Sequence, residues 1–426
     1  MSVANLSAAE ALARLRRRTL SAEELVRACL ARIEERDPEV KAWAALDPED
    51  ALAQARRIDA LRERPPLCGL PVGIKDLIDT QDLPTTYGSP IYAGHRPERD
   101  AACVRALREA GAVILGKTVT TEFAVFSPGP TRNPRDPSRT PGGSSSGSAA
   151  AVADFMVPVA LGSQTAASVI RPGSFCGVVA MKPTFGRIPL EGVHPLAPSL
   201  DTLGVFGREV ADLPPILGAL GLGLPEEIPP LEKPRLGLCR TGLWERAEPS
   251  TRAAVEQAAA ALEREGAQVR DIELGRSFAG LADAQIAIMG AEAVQSLPAE
   301  MSTRKADLSP RLWDFLQEGA SVSAERLRDA RDQAERCRGE LAQLFAGFDA
   351  VLTPAAIGEA PIGLGATGDP IFSRIWTLLR VPSISVPVLE GPARMPIGLQ
   401  LVARVGADER LIAAASFIDD KLRRRA

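Results

Sequence analysis

The sequence predicts an α/β protein, a single α/β/α sandwich built around one large mixed β-sheet. Short apolar runs rich in Val, Ile and Leu, set between Gly and Pro, recur from Leu67 onward, in the manner of buried strands. Helix-length segments lie between several of them, the alternation expected of a sheet covered by helices. The 426 residues are 45% hydrophobic and 24% charged, the balance of an ordinary globular chain, which excludes disordered and collagen-like proteins. Length alone suggests about three domains; a two-domain cut would fall near Pro214–Pro234, where prolines cluster.

The elements follow in order. The first sixty residues read as helices. Ser21 with Glu24 forms a capping box opening an amphipathic run, Glu23–Glu35, that is expected to stop before Pro38. Asp47–Arg62 is a second, Ala-rich helix ended by Pro65 and Pro66. Residues 1–62 are thus expected to be a helical segment packed on a domain spanning 63–426. The runs LPVGIKDLID, AVILGKTV, MVPVALGS (strand core Val157–Leu161), GVVAMKPT, PRLGLCR and AQVRDIEL each suit a buried strand. Helices are expected at Asp100–Ala110, Ser146–Phe155 and Ser250–Glu265. FDAVLTPAA, PSISVPVL and PIGLQLVAR supply the last strands, before a closing helix Ala407–Leu422. Ser277–Ala346 reads as helical, with Met289, Met301, Trp313 and Phe315, and suits a packing layer better than a lid. There is no internal repeat.

Charge narrows the function. A net charge of −4 steers the chain toward neither nucleic acid nor a membrane surface. Met1–Glu10 lacks a basic start and an apolar h-region, and no run approaches the roughly 20 apolar residues of a membrane span, so a cytoplasmic protein is expected. Six cysteines are scattered without a C-x-x-C pair and read as small core residues in a reducing compartment rather than disulfides or a zinc site. Only two histidines are present, His95 and His194, and only seven lysines against 43 arginines. A mechanism built on several imidazoles is nearly ruled out, and a lysine in an apolar run attracts attention.

Three segments carry candidate chemistry. Pro141–Ala151, PGGSSSGSAAA, reads either as a flexible Gly/Ser linker or, since an apolar helical run follows at once, as a functional turn inside the fold. The absence of a lysine between Lys117 and Lys182 excludes a phosphate-binding P-loop. Glycines admit close backbone approach and serines both donate and accept hydrogen bonds, a combination suited to proton relay or acyl transfer. In the second segment, a strand runs into a turn carrying Ser163, Thr165 and Ser168. Its backbone N–H groups could converge on an oxyanion, or the turn could simply satisfy its own backbone. In the third, Pro71–Asp79, Lys75 sits in a strand-like run. A lysine paired with Asp76 or Asp79 is the ordinary explanation; a desolvated amine, with a pKa well below the usual value of about 10.4, is the functional one.

These segments together resemble the signature of the amidase signature family, hydrolases with a Ser–cis-Ser–Lys triad. The likeness runs from LCGLPVGIKD through TTEFAVFSPGPTRNP, PGGSSSGSAAAVA and LGSQTAASVIRP to FCGVVAMKPTFGR and SLDTLGVFGR, strongest over about 67–210. It returns in DAVLTPAA, VPSISVPV and PIGLQLVAR. The resemblance implies the amidase signature fold, with 277–346 a variable helical layer or lid. It implies Lys75 as base, Ser144 as a relay preceded by a cis peptide bond, and Ser168 as nucleophile. The backbone of Thr165, Ala166 and Ala167 would form the oxyanion hole, with Ser145 and Ser163 supporting the network and no cofactor or metal required. The expected substrate is a small or aryl/acyl amide, with esters or carbamates as further candidates; a homodimer is compatible, and nucleic acid and membrane are not expected partners.

Three positions depart from the family pattern. The turn reads Gln164-Thr165-Ala166-Ala167-Ser168 where D-T-G-G-S is common, so two alanines replace glycines that could be left-handed. Ile170 stands where arginine is frequent, with Arg171 following, and the glycine run is S-S-S-G-S rather than S-S-G-G-S. Alternative readings are an amidotransferase A-type subunit drawing ammonia from glutamine, a catalytically degenerate scaffold, and a Ser–His–Asp hydrolase, which would need His95 or His194, both expected at the surface.

Overall fold

The computed structural model describes residues 2–423; Met1 and residues 424–426, the outermost positions of the two expected segments, lie outside the described residues. Eleven strands form one sheet: β1 (Trp43–Leu46), β2 (Pro71–Lys75), β3 (Val113–Thr118), β4 (Val159–Gln164), β5 (Val179–Lys182), β6 (Thr202–Gly207), β7 (Arg235–Cys239), β8 (Gln268–Ile272), β9 (Ala350–Pro354), β10 (Ser383–Glu390) and β11 (Pro396–Val402). Their order is β1-β3-β2-β4-β6-β5-β10-β11-β9-β7-β8. The sheet is mixed: β2 runs parallel to β3 and β4, and β7 to β8 and β9, while β6, β10 and β11 pair antiparallel with their neighbours.

Both faces of the sheet are covered, as the strands themselves record. Ala350 and Leu352 join one apolar cluster, and Val351 between them joins a second; Leu399 and Leu401 belong to the first and Val402 to the second. Alternate side chains of a strand point to opposite faces, so each face carries its own core. The first core is closed by helices including Ala22–Val40, Pro249–Arg264 and Asp408–Arg423. The second is closed by the helices of Leu281–Leu344 and by Ile371–Leu378. All six cysteines are buried and unpaired. No helix among the described residues is long and apolar enough to cross a membrane.

All nine strand-like runs form strands, with two additions and some shifts. β6, central in the sheet, has two glycines in TLGVFG and so little strand character in sequence; a Cβ at Gly204 would lie 2.7 Å from the Met181 carbonyl oxygen, so close packing requires the glycine. β1 is a four-residue edge strand, half-exposed. The strand core expected at Val157–Leu161 runs instead to Gln164, which puts Ser163 inside the ladder opposite Leu203. The helix capped by Ser21 does not stop before Pro38 but runs from Ala22 to Val40. Proline removes its own donor and crowds the carbonyl four residues earlier, a disturbance confined here to the last turn. That turn is closed by Lys41 N–H to the Asp37 carbonyl (2.8 Å) and Ala42 N–H to Asp37 Oδ1 (2.6 Å), with Val40 and Ala42 fully buried.

The helix Ser146–Ala153 meets the sheet end-on at Gly147, whose N–H donates to the Val119 carbonyl (2.9 Å). A Cβ there would lie 2.2 Å from the Ala42 carbonyl oxygen and 2.3 Å from the Val119 nitrogen, backbone atoms that cannot step aside. Gly147→Ala is therefore expected to lower unfolding free energy by about 1–3 kcal/mol, the range for overpacking, seen as an earlier urea midpoint; an unchanged midpoint would contradict this packing account.

Candidate active site

Two parallel strands end side by side and deliver the central groups. β2 and β4 pair through Val72 with Val159 and Ile74 with Leu161, so Lys75, the last residue of β2, projects beside Ser163. In open α/β sheets ligands gather at the carboxyl ends of parallel strands. Lys75 is completely buried. Its Nζ lies 2.6 Å from Ser144 Oγ, 2.9 Å from Ser163 Oγ and 3.4 Å from the Ser163 carbonyl oxygen. The expected alternative, a pair with Asp76 or Asp79, is not what forms: Asp76 lies 3.4 Å from Lys117 and accepts from Thr86, while Asp79 accepts from Tyr87. Burial pulls the Lys75 amine down to about 7, opposed by the more distant Asp201 carboxylate. That is roughly 5 kcal/mol of bias toward the neutral amine.

The Gly/Ser segment is no linker. Ser144, Ser145, Ser146 and Ser148 are all buried, and the Gly143–Ser144 peptide bond is cis. Gly142 takes the left-handed conformation, φ +81°, closed to most side chains. The Gly143 carbonyl accepts from Arg171 Nη2 at 2.6 Å, and the Ser144 carbonyl accepts from Thr121 N–H at 3.2 Å. Ser145 works through backbone: its Oγ accepts from Ser163 N–H (3.3 Å) and donates to the Ser163 carbonyl (3.2 Å). A Cβ at Gly162 would sit 2.7 Å from that hydroxyl oxygen, so the glycine makes room for Ser145. Ser145 N–H reaches the Ser168 carbonyl at 3.4 Å, linking the two serine-bearing segments.

The turn Thr165–Ser168 is held from outside. The Thr165 carbonyl accepts from Gln285 Nε2 (2.9 Å), the Ala166 carbonyl from Thr377 Oγ1 (2.8 Å) and the Ala167 carbonyl from Arg171 N–H (3.0 Å). In a trans peptide the N–H points opposite to the carbonyl. Three pinned carbonyls therefore turn the N–H groups of Ala166, Ala167 and Ser168 away from those partners, and none of the three finds an acceptor among the described residues. Neither alanine is left-handed, so the turn avoids the region that alanine disfavours. Gln164 is the substitute anchor: its Oε1 accepts from Val169 N–H (3.0 Å) and Ile170 N–H (3.1 Å), and its Nε2 donates to Thr377 Oγ1 (2.9 Å). Thr165 Oγ1 donates to Asp201 (2.5 Å), whose carboxyl burial pushes up to about 6 against the hydrogen bonds it accepts.

Ser144, Ser168 and the turn line one narrow cleft walled by Phe126, Met289 and Pro370. Gln285, Thr377 and Arg171 are the contributors that sequence reading missed. Gln285 and Thr377 stand more than a hundred residues from the turn, and only the Gln164 departure hinted that the turn needed new partners. Neither histidine joins this site. His194 Nδ1 lies 3.1 Å from the Pro195 carbonyl oxygen and His95 Nε2 lies 3.5 Å from the Tyr87 hydroxyl. Both are half-buried rather than at the surface, because their rings pack on Tyr87, with centroids 4.4 Å and 5.8 Å away. Among the described residues no group of three or more His, Cys, Asp and Glu is placed to hold a metal.

Buried serines surround a depressed lysine at the strand ends of a mixed sheet, and the chain as a whole is similar to known proteins. The family model described as Amidase matches residues 24–412, a span that holds every site residue named above; the chain belongs to this family. It is 34% identical to the A-type subunit of glutamyl-tRNA(Gln) amidotransferase from Salinispora arenicola, over 97% of both chains. Peptide amidase from Stenotrophomonas maltophilia superposes with a TM-score of 0.84 at 29% identity, over 98% of this chain and 97% of that one. A substrate complex of 6-aminohexanoate cyclic dimer hydrolase superposes with a TM-score of 0.88 at 25% identity, over 99% and 98%.

Thr377→Val leaves the buried Ala166 carbonyl and the Gln164 Nε2 without the hydroxyl that each of them meets. It is expected to cost about 1–3 kcal/mol of stability, the usual penalty for orphaned buried polar groups, with Thr377→Ser recovering most of it; denaturant titration of the two variants checks this.

Proposed function

We propose that the protein hydrolyses the carbon–nitrogen bond of a small or aryl/acyl amide through an acyl-enzyme on Ser168, with esters or carbamates as further substrates. The observation that carries the reading is the 2.6 Å contact between a wholly buried Lys75 amine and Ser144 Oγ. A neutral amine has two N–H donors and one lone pair. The Ser163 hydroxyl and carbonyl can take the donors, leaving the lone pair for the Ser144 proton. Lys75 accepts that proton as Ser144 takes one from Ser168, and Ser168 Oγ attacks the carbonyl carbon. The oxyanion develops toward the N–H groups of Ala166, Ala167 and Ser168, each such donor being worth about 2.7–4 kcal/mol in comparable sites. The proton returns through Ser144 to the departing amine, which leaves as the carbon–nitrogen bond breaks. Water then attacks the acyl-enzyme by the same relay and frees the acid.

A second reading, an amidotransferase A-type subunit releasing ammonia from glutamine, draws on the 34% identity to such a protein over 97% of both chains. It uses the same chemistry on one substrate and depends on partners. Hydrolysis of simple amides by the purified chain, without ATP or other subunits, favours the hydrolase; activity confined to glutamine and to a reconstituted complex favours the amidotransferase.

Ser168→Ala is expected to lower kcat by about 10⁴-fold or more and to abolish labelling by a fluorophosphonate. A wild-type chain that takes no label at Ser168 would favour a degenerate scaffold. The pH profile follows from the sign of the Lys75 shift: the amine is neutral, hence basic, only above about 7. kcat/KM is expected to rise about tenfold per pH unit below that value and to level off above it. Lys75→Ala is expected to lose about 10²–10⁴-fold and to recover partly at high pH; near-wild-type rates in this variant at neutral pH would overturn the base assignment.

A further inference from the structure

The carbonyls that fix the serine-bearing turn are held by unlike partners. The Thr377 hydroxyl holds that of Ala166 and the Arg171 backbone N–H that of Ala167, both neutral donors. The Thr165 carbonyl is held by Gln285 Nε2 (2.9 Å), and behind Gln285 stands a cation: its Oε1 accepts from Arg374 Nη1. Gln285 is completely buried and Arg374 is 7% exposed. A carboxamide has nearly the same shape at both ends, so shape alone would let either face Thr165. A guanidinium has donors and no acceptor, which requires the Gln285 oxygen toward Arg374 and leaves the NH2 for the Thr165 carbonyl. The other N–H of that NH2 is offered to Met289 Sδ (3.5 Å), a wall of the cleft. No carboxylate draws Arg374 away: Asp369 pairs with Arg246 (3.1 Å), and Asp369 and Asp283 act on Arg374 only at longer range. Burial draws its guanidinium down to about 10, so it stays charged at neutral pH.

We propose that Arg374 is a positioning residue for the reaction: through Gln285 it aims the Thr165–Ala166 peptide so that the Ala166 N–H meets the oxyanion. The inference rests on the acyl-transfer reading above and adds to it a residue that does not line the cleft. The line runs from the guanidinium N–H to the Gln285 oxygen, from the Gln285 N–H to the Thr165 oxygen, and from the Ala166 N–H to the substrate oxygen. Each of the two amide groups accepts on the side of the cation and donates on the side of the cleft. Their dipoles therefore add, and each hydrogen bond polarises the next. A donor fixed in this way acts where charge develops and does little for the bound ground state, so kcat carries the effect and KM does not.

The test measures butyramide hydrolysis beside inhibition by 1,1,1-trifluoropentan-2-one, the ketone with the same acyl chain. Addition of Ser168 Oγ to that ketone makes a hemiketal whose oxygen takes the oxyanion's place, the serine proton passing through Ser144 to Lys75. Deleting an oxyanion donor costs about 10²–10³-fold in kcat; in Arg374→Leu, where the donor stays but loses its aim, a fall of about tenfold or more is expected. KM is expected to stay within about twofold, and the ketone Ki to rise by the same factor as kcat falls. The inflection of the pH profile near 7, which belongs to Lys75, is expected not to move. Arg374→Lys, again a donor without an acceptor, is expected to recover most of the loss. Gln285→Glu keeps an oxygen for Arg374 but turns another oxygen on the Thr165 carbonyl, so kcat is expected to fall while the urea midpoint holds. An unchanged kcat in Arg374→Leu or Gln285→Glu would overturn the inference, as would a loss in kcat without a matching rise in Ki, or an equal loss in Arg374→Lys. Should Arg374→Leu fail to fold, Arg374→Lys and Gln285→Glu decide by the same readings. Fluorophosphonate labelling separates the levels: a wild type labelled at Ser168 whose variants match it loses the inference alone, and an unlabelled, inactive wild type loses the acyl-transfer reading with it.

Discussion

An amine carried into a protein interior without a carboxylate beside it is held there as a neutral base, because desolvation penalises its charged form. That constraint organises the site around Lys75. Three lysines are fully buried in this chain, and their surroundings differ in the respect that matters. Lys117 keeps an acidic neighbour, Asp76, at 3.4 Å. Lys182 is drawn down to about 7 like Lys75, but it donates to the carbonyls of Pro183 and Val381, acceptors with no proton to give. Only Lys75 touches a serine hydroxyl that borders the cleft. The depressed pKa alone does not distinguish Lys75 from Lys182; the serine hydroxyl at its nitrogen does, and the proposed role of base rests on that contact.

Holding that hydroxyl against the amine takes much of the fold. The parallel pairing of β2 with β4 puts Lys75 next to Ser163. Glycine at 162 leaves room for Ser145, whose hydroxyl ties the Gly/Ser segment to β4. Glycine at 147 lets the following helix touch the backbone at Ala42 and Val119. On the other side, Gln285 and Thr377, from two helices of the second core, grip the carbonyls of the turn that carries Ser168. The helices over that face therefore reach the site through two specific hydrogen bonds as well as through packing, and Arg374 joins the same network by way of Gln285.

Much of this was legible in the chain. Lys75 stood out because lysine is scarce and its run is apolar, and the serines because glycines surround them at the start of a helix. β6 and β1 were not legible: one is interrupted by glycines that close packing demands, the other is four residues long. The helix Ala22–Val40 outran its proline because Asp37 and Lys41 close the last turn locally, a compensation that a rule about proline does not contain. The histidines were misjudged because polar neighbours in sequence say nothing of Tyr87, whose ring packs against both.

The sequence by itself determined the strand-and-helix alternation and which side chains could do acid–base and nucleophilic work, since periodicity and residue chemistry are local properties. The tertiary structure decided what each of those side chains faces. It removed water and carboxylates from Lys75 and turned the amides of Ala166, Ala167 and Ser168 to one side without left-handed backbone. Desolvation, peptide orientation and charge balance all depend on residues distant in the chain, and so they come into being only when the sheet and its two helical layers close.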